Sequence, residues 1–448
     1  MTQEQTQGMA QTTRPGHKRA LLIIGAGPAG LSAARAAAQA GWHITVVDDN
    51  PAPGGQIWRG GPGAAPQPVS RSLQADLAAL PQVRLLCGTR VVAAQGPGAL
   101  LLENAEHAWL QAFDALILCT GARELMLPFP GWTLPGVTGA GALQALIKSG
   151  LPVHGQRIVL AGGGPLLLAA AASARRAGAH VLRVAEQASA AQIARFSAGL
   201  WRWPGKVFQA LGLLSTQYRS GIHVIAAQGA QRVEAVQLRQ GARDYTLACD
   251  RLAVGFGLVP NAELGRLLRC ATAEDADGKT VVAVDTRQAT SLPGVFAAGE
   301  CTGAGGVERA MAEGRIAGLA ATGQTVPQQA LAERTHWAAF GKHVAEHFVL
   351  APALSGLARP DTIFCRCEDV VFADVAACTG WTEAKLATRC GMGACQGRVC
   401  GAAAQHLWGW QAPSPRPPLV PARVGTLGLM AEENASLTIS PATYPPCP

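Results

Sequence analysis

Ala20-Leu21-Leu22-Ile23-Ile24-Gly25-Ala26-Gly27-Pro28-Ala29-Gly30 passes from five apolar residues into Gly-x-Gly-x-x-Gly without a polar break. An aliphatic run bounded by glycine reads as a buried strand, and the Ala-rich stretch that continues to Gly41 reads as a helix. Gly25 permits the tight turn, Gly27 lets backbone approach a pyrophosphate, and Gly30 lets helix and strand pack closely. Pro28 and Ala29 open the helix, whose N-terminus turns its partial positive charge toward the phosphates. A second strand, His43 to Val47, ends on Asp48, eighteen residues after Gly30, where a carboxylate can accept hydrogen bonds from a ribose. A lone glycine motif is weak evidence. Here strand, turn, helix, strand and acid fall in order, which specifies a dinucleotide fold.

The same grammar returns at Arg157-Ile158-Val159-Leu160, then Ala161-Gly162-Gly163-Gly164-Pro165, a helix to Gly178 and a strand from His180. Its motif is Gly162-x-Gly164-x-x-Leu167, with Leu in place of the third glycine, and its ribose acid is Glu186. No Arg pair for a 2′-phosphate is evident. Three readings stay open for this second site: NAD(P), an adenine nucleotide, or a structural remnant. Strands at Val281 to Val284 and Val295 to Ala298, with a helix from about Gly306, would complete the first fold. The chain is therefore α/β, with two Rossmann-like domains, the second inserted in the first, followed by a small C-terminal helical module. The expected limits are 1–18 for a disordered N-terminal tail, 19–150 with 255–325 for the first nucleotide domain, and 151–254 for the insert. A helical connector at 326–360, a cysteine module at 361–411 and a Pro-rich tail at 412–448, solvated or wrapped on a partner, complete the chain.

The 448 residues leave room for a large core. Hydrophobic residues at 49% against 15% charged suit packed α/β layers. The net charge of +8 is spread singly, with no Lys/Arg block interleaved with aromatics, so no nucleic-acid partner is expected. Met1 to Lys18 lacks the apolar segment of a signal peptide, and no transmembrane segment is expected. Of twelve cysteines, six lie between Cys365 and Cys400. That clustering reads as a metal site in a reducing cytoplasm.

Leu116-Ile117-Leu118-Cys119-Thr120-Gly121-Ala122-Arg123 and Leu292-Pro293-Gly294-Val295-Phe296-Ala297-Ala298-Gly299-Glu300 resemble the later flavin-contact motifs of the pyridine nucleotide-disulfide oxidoreductase superfamily. The resemblance covers roughly residues 20 to 325. It implies FAD in the first fold, with Thr120, Gly121, Gly299 and Glu300 beside the cofactor. Glu300 stands where that family usually has Asp. The segment Pro53-Gly54-Gly55-Gln56-Ile57-Trp58, whose Gly55 and Gln56 belong to the same site, carries no redox cysteine pair, so disulfide reduction is not expected. Cys119 and Cys301 read as small packed residues.

In the cysteine module, Cys365-x-Cys367 and Cys395-x-x-x-x-Cys400 offer four thiolates, which suit a 2Fe-2S cluster and equally zinc. Spacing alone leaves both open. The wording Cys-Arg-Cys-Glu-Asp-Val and Thr-Arg-Cys-Gly-Met-Gly-Ala-Cys-Gln-Gly-Arg-Val-Cys-Gly resembles the bacterioferritin-associated-ferredoxin type of 2Fe-2S domain. It is most similar to the version fused to flavoprotein subunits of opine, amino-acid and glycerol-3-phosphate dehydrogenases. That resemblance implies Cys365, Cys367, Cys395 and Cys400 as cluster ligands, Cys390 as an extra thiol and Cys378 as packing.

No local cluster announces a substrate site, and Arg123, Glu124, Trp201, Trp203 and Glu308 read as surface or packing residues. The resemblance implies an electron-relaying subunit of a heteromeric dehydrogenase. Its partner would be a substrate-oxidising flavoprotein of amino-acid-oxidase type, joined in some assemblies by a small ferredoxin-like protein. The expected location is cytoplasmic, with peripheral docking at the inner membrane left open. Two alternatives are a self-contained NAD(P)H-dependent flavin and iron-sulfur reductase and a non-catalytic scaffold.

Overall fold

A computed structural model describes residues 19–61 and 67–431. Its first sheet is parallel, in the order Val295–Ala297, Ala115–Leu118, Ala20–Ile24, His43–Val47 and Val83–Leu86. The central strand is buried on both faces, as its uninterrupted aliphatic sequence demands. Helix Pro28–Ala37 covers one face and is itself covered by helix Gly306–Ala321. The two run backbone to backbone: a Cβ on Gly314 would lie 2.1 Å from the Ala29 carbonyl oxygen, and one on Gly318 2.3 Å from that of Ala33. An alanine at either position would push the last helix off the nucleotide turn.

The second sheet repeats the design, with parallel strands ordered Tyr218–Ser220, His180–Glu186, Arg157–Gly162, Arg251–Gly255 and Val137–Gly139. Each unit also carries a three-stranded antiparallel meander, after the third strand in sequence of the first sheet and the fourth of the second: Arg90–Ala94, Ala99–Glu103 and Ala108–Ala112 in the first, Ile222–Gln228, Ala235–Gln240 and Arg243–Ala248 in the second. The chain enters and leaves the insert through one antiparallel ribbon, Ala122–Glu124 against Leu258–Pro260.

Three sequence expectations change. The insert does not begin at 151, because Val137–Gly139 pairs with Arg251–Gly255 and helix Ala140–Lys148 packs on the second fold. The 122–124 ribbon marks the crossing. Of the late strands, Val295–Ala297 joins the first sheet, but Thr280–Val282 pairs with Thr272–Glu274 outside it. The cysteine module is not set apart either: Phe364, Trp381, Cys390, Cys400 and Ala403 share one core with Phe129, Phe256 and the second meander. Trp132 ties the two by donating its indole N–H to the Ile363 carbonyl at 2.6 Å.

The connector holds helix Gln328–His347, which lies against helix Ala190–Gly199. The beginning of the Pro-rich tail is packed rather than solvated. Leu419, Val420, Leu429 and Met430 cover the first meander, and the Arg423 N–H donates to the buried Glu103 at 3.0 Å. Residues 1–18 and the end of the tail, 432–448, lie outside the described residues. Among the described residues no helix is long and apolar enough to cross a membrane.

Candidate functional site

The first glycine turn is shaped by contacts at its ends and open at its middle. A Cβ on Gly25 would sit 2.1 Å from the Cys119 carbonyl oxygen, and one on Gly30 1.8 Å from that of Gly25. One on Gly27 would meet nothing closer than the Gly55 Cα at 3.9 Å. The outer two glycines therefore serve packing, and the middle one leaves a bare cradle at the start of a helix whose first turn has free N–H groups. This is the fit a pyrophosphate requires. Gly54 donates to the Ala26 carbonyl at 2.8 Å and lays Gly55 over the turn, while Gln56 remains exposed.

At the end of the second strand, Asp48 is buried and committed inward. Its Oδ2 accepts from the Ala26 N–H at 2.6 Å, and its Oδ1 from the backbone and side-chain amides of Asn50 at 2.8 and 2.7 Å. The exposed carboxylate at this strand end is Asp49. The strand's burial alternation alone does not say which of two adjacent acids turns outward.

Thr120 is clasped by Asn261, its hydroxyl donating to the Asn261 carbonyl at 2.6 Å while the Asn261 amide returns a bond to the Thr120 carbonyl at 2.8 Å. Gly299 donates to the fully buried Glu313 at 2.9 Å, and the Thr302 hydroxyl donates to the same carboxylate oxygen at 2.9 Å. Arg309 balances Glu313 from the other side at 2.7 Å. Burial raises the carboxyl pKa of Glu300 while Arg309 opposes the shift. Neither Asn261 nor Glu313 carries a local signal: Asn261 reaches Thr120 across 141 residues, and Glu313 reaches back 14 residues from its helix to Gly299. Cys119 and Cys301 are buried, and burial raises both thiols.

The second turn differs. Gly164 donates to Glu186 at 2.9 Å and Ala188 to its other oxygen at 2.9 Å, and Glu186 has no exposed surface. Burial lifts its pKa to about 7. Leu167 fills the place of the third glycine and is fully buried. Two of the chain's own side chains stand beside this turn. The Phe348 ring stands 3.8 Å from the Cβ position of Gly164, and Gln187 lies over Gly163 while its Oε1 accepts from the Ala351 N–H at 2.8 Å.

In the C-terminal module Cys365, Cys390 and Cys400 are buried with sulfurs within 4.8 Å of one another, Cys365 and Cys400 at 3.8 Å. The Cys395 thiol is in hydrogen-bond reach of Cys400 and of the exposed Cys367. Of the four sequence-designated sulfurs, Cys365 and Cys400 thus sit together with Cys390, and Cys395 links that group to Cys367. Cys378 points elsewhere, to the Asp374 carbonyl. Bonds from Cys390 and Cys400 hold Cys365 down to about 2, and the Cys400 thiol holds Cys395 down to about 5, while the same bonds push Cys390 and Cys400 up, so the thiols share their protons unequally. The Gly391 N–H points at the Cys365 sulfur at 3.5 Å. Closely spaced sulfurs and an amide donor fit an iron-sulfur cluster.

Arg123 joins the two centres. Its Nε donates to the Arg398 carbonyl at 3.0 Å, inside the Cys395–Cys400 loop, and its guanidinium pairs with Glu263 at 2.8 Å and with the Asn261 side chain at 2.8 Å. Against the expectation of a surface or packing residue, Arg123 bridges the Thr120 motif to the cysteine loop. Glu124 caps a helix by accepting from Gly141 and Ala142, and Glu308 pairs with Lys206. Trp203 is buried against His343, and Trp201 is 76% exposed.

Residues 19–327 match the family described as pyridine nucleotide-disulphide oxidoreductase. The chain is 31% identical to an opine oxidase subunit of Rhizobium meliloti over 418 residues, 85% of this chain and 90% of that protein. It is also 31% identical to hydrogen cyanide synthase subunit HcnB of Pseudomonas aeruginosa over 440 residues, 88% of this chain and 95% of that protein. Among solved structures, L-proline dehydrogenase from P. horikoshii superimposes with a TM-score of 0.64 at 17% identity, covering 92% of this chain and 79% of that one, which shows a shared fold. With the open glycine cradle and the paired Rossmann sheets, these likenesses make the chain a flavin oxidoreductase of the pyridine nucleotide-disulphide oxidoreductase family.

Proposed function

We propose that this chain is the electron-relaying subunit of a heteromeric dehydrogenase or oxidase, with FAD in the first fold and a 2Fe-2S cluster in the cysteine module. The observation that carries the reading is the convergence of the cysteine thiols on a loop bonded, through Arg123, to the strand end that follows Thr120. The turn from Gly25 to Gly30 would hold the pyrophosphate, and Asp49 the ribose, with Asp48 bracing the turn from beneath. Thr120, Gly121, Gly299 and Glu300, fixed by Asn261 and Glu313, would flank the rest of the flavin. Cys365, Cys367, Cys395 and Cys400 would hold the cluster, with Cys390 packed against two of them. A flavin exchanges electrons in pairs or singly, whereas the cluster carries one at a time.

Substrate oxidation, at a C–N bond of an amino acid, imino acid or opine, is assigned to a partner flavoprotein subunit of amino-acid-oxidase type. The two relatives are themselves named as subunits, of an opine oxidase and a hydrogen cyanide synthase. A self-contained NAD(P)H reductase is disfavoured, because Phe348 and Gln187 stand beside the second glycine turn. The test is to purify the cytoplasmic chain alone and with its co-expressed partner, recording flavin and cluster spectra and dye-linked oxidation of amino acids and opines. Both spectra on the chain alone, with activity only in the complex, support the relay. A colourless chain, or full activity without a partner, overturns it.

A further inference from the structure

A half-enclosed cleft of about 1430 Å³ lies between the Thr272–Val282 hairpin, the cysteine loop and the Pro-rich segment around Pro417. None of the residues assigned to the FAD or to the thiolate group lines it. Its charge is lopsided: six cationic side chains, Arg123, Arg266, Arg269, Lys385, Arg398 and Arg416, face two carboxylates, Glu263 and Glu274. Arg123 is neutralised by Glu263 at 2.8 Å. Arg398 is spent on backbone, donating to the Leu419 carbonyl at 2.9 Å and the Cys395 carbonyl at 3.4 Å. Glu274 takes a 3.5 Å bond from Gln411. That leaves Arg266, which also donates to the Ala412 carbonyl at 2.6 Å, and Arg269, Lys385 and Arg416, none of the four with a carboxylate within 4 Å among the described residues.

Four cations on one concavity repel one another unless an anion sits among them, and a cleft of one sign with low-dielectric walls focuses the potential. Guanidinium groups are the side chains best shaped to grip phosphate oxygens in pairs. The volume exceeds the ~300–1,000 Å³ of ordinary small-molecule pockets, so a nucleotide with its bridging waters fits. Gln396, Gln405 and Gln411 line the walls; their NH2 groups are engaged by Met392, Gly278 and Glu274, which leaves the amide oxygens to accept from a sugar or base.

We propose that this cleft binds a phosphate-bearing ligand of mononucleotide size, separate from the FAD, held by Arg269, Lys385 and Arg416 beside the cysteine loop. The inference goes beyond the relay reading and does not need it.

The test uses the full chain loaded with its flavin and iron, and calorimetry with adenosine diphosphate, riboflavin 5′-phosphate and inorganic pyrophosphate, with adenosine and riboflavin as uncharged controls. At least one phosphate ligand should bind, the controls should not, and binding should weaken as salt rises from about 50 to about 300 mM. Nucleotides binding more tightly than pyrophosphate would show that the base is also read; equal affinity would show that phosphate alone is recognised, and either supports the site. The triple variant Arg269→Ala, Lys385→Ala, Arg416→Ala should weaken binding at least about tenfold, about 1.4 kcal/mol. Its flavin absorbance and iron content should match the parent. The single reversal Arg416→Glu, on an exposed segment, should weaken binding as well and guards against a folding defect in the triple variant. No binding of any phosphate at about 1 mM, a Kd beyond ordinary ligand range, overturns the proposal. So does binding that both variants leave unchanged, because the anion would then sit elsewhere.

Discussion

Glu313→Gln tests whether a buried charge holds the flavin-facing turn. In the parent chain Oε2 accepts from Gly299 and from the Thr302 hydroxyl, both at 2.9 Å, and Oε1 accepts from Arg309 at 2.7 Å. An amide has one acceptor end. If its oxygen serves Gly299 and Thr302, its NH2 faces the Arg309 N–H, two donors in contact. If it is reversed, the Gly299 turn loses its anchor. Arg309 is only 16% exposed, so water restores little of the lost partner. A charge-assisted bond is worth about 1.5–3 kcal/mol, and orphaning a buried partner costs about 3–5, which places the variant about 3 kcal/mol below the parent. For a unit of this size that lowers the melting midpoint by at least about 4 °C. Because the lost anchor is the Gly299 N–H, flavin retained per chain should fall with it. Thermal denaturation followed by intrinsic fluorescence, with flavin-to-protein absorbance ratios after gel filtration, reads both. An unchanged midpoint and full flavin content would refute the anchoring role. Glu313→Ala should be at least as damaging.

Gly27→Ala, whose Cβ enters the open cradle without meeting protein atoms closer than Gly55, should cut flavin content several-fold while leaving the far-UV circular dichroism of the parent; normal flavin loading would remove the pyrophosphate from this turn. Cys365→Ser should abolish bound iron and its visible spectrum, whereas Cys378→Ser should retain both, and equal iron in the two would dissociate the sulfur group from the metal. Neither NADH nor NADPH should bleach the flavin anaerobically within minutes, and rapid bleaching would mean that Phe348 does not close the second turn. Glu186 titrates at about 7 in the folded chain against an ordinary 4.5, with burial the leading cause. Its folded form holds the proton more tightly than the unfolded form, so its contribution is fully present below pH ~4.5 and is lost as pH rises toward 7, by at most about 3 kcal/mol. Urea midpoints at pH 5 and pH 8 should differ more in the parent than in Glu186→Gln; identical pH dependence would discard the burial argument.

The sequence made local features legible and cross-chain ones invisible. The strand Ala20–Ile24, the glycine turn and the strand His43–Val47 stand where hydrophobic run, glycine spacing and the terminal acids place them, since each depends on neighbours a few residues away. Val137–Gly139 is too short and too ordinary to show that it pairs with Arg251–Gly255, over a hundred residues on, so the insert looked shorter than it is. Asp48 and Asp49 are adjacent acids separated only by which side of the strand each takes. The packed portion of the tail was missed for another reason: proline-rich composition argues against regular structure, yet Leu419 and Val420 find an apolar surface already built by Val92 and Leu101.

That topology bears on the proposed relay. Because the second fold is inserted through the ribbon of Ala122–Glu124 and Leu258–Pro260, the strand end carrying Thr120 emerges beside the surface on which the C-terminal module lands. Arg123 is the first polar side chain after that strand end, and it grips the Arg398 carbonyl, Glu263 and the Asn261 amide oxygen at once. Meanwhile the connector that brings the module there must cross the second fold, and in crossing it lays Phe348 on the old nucleotide turn. One covalent path thus sets Phe348 beside the second glycine turn and delivers the cysteine loop to the Thr120 strand end. If the two events share a cause, Arg123→Ala should slow electron passage from reduced flavin to cluster in stopped-flow mixing by more than tenfold while leaving flavin and iron content intact. An unchanged rate would mean that the bridge is structural and that electrons take another route.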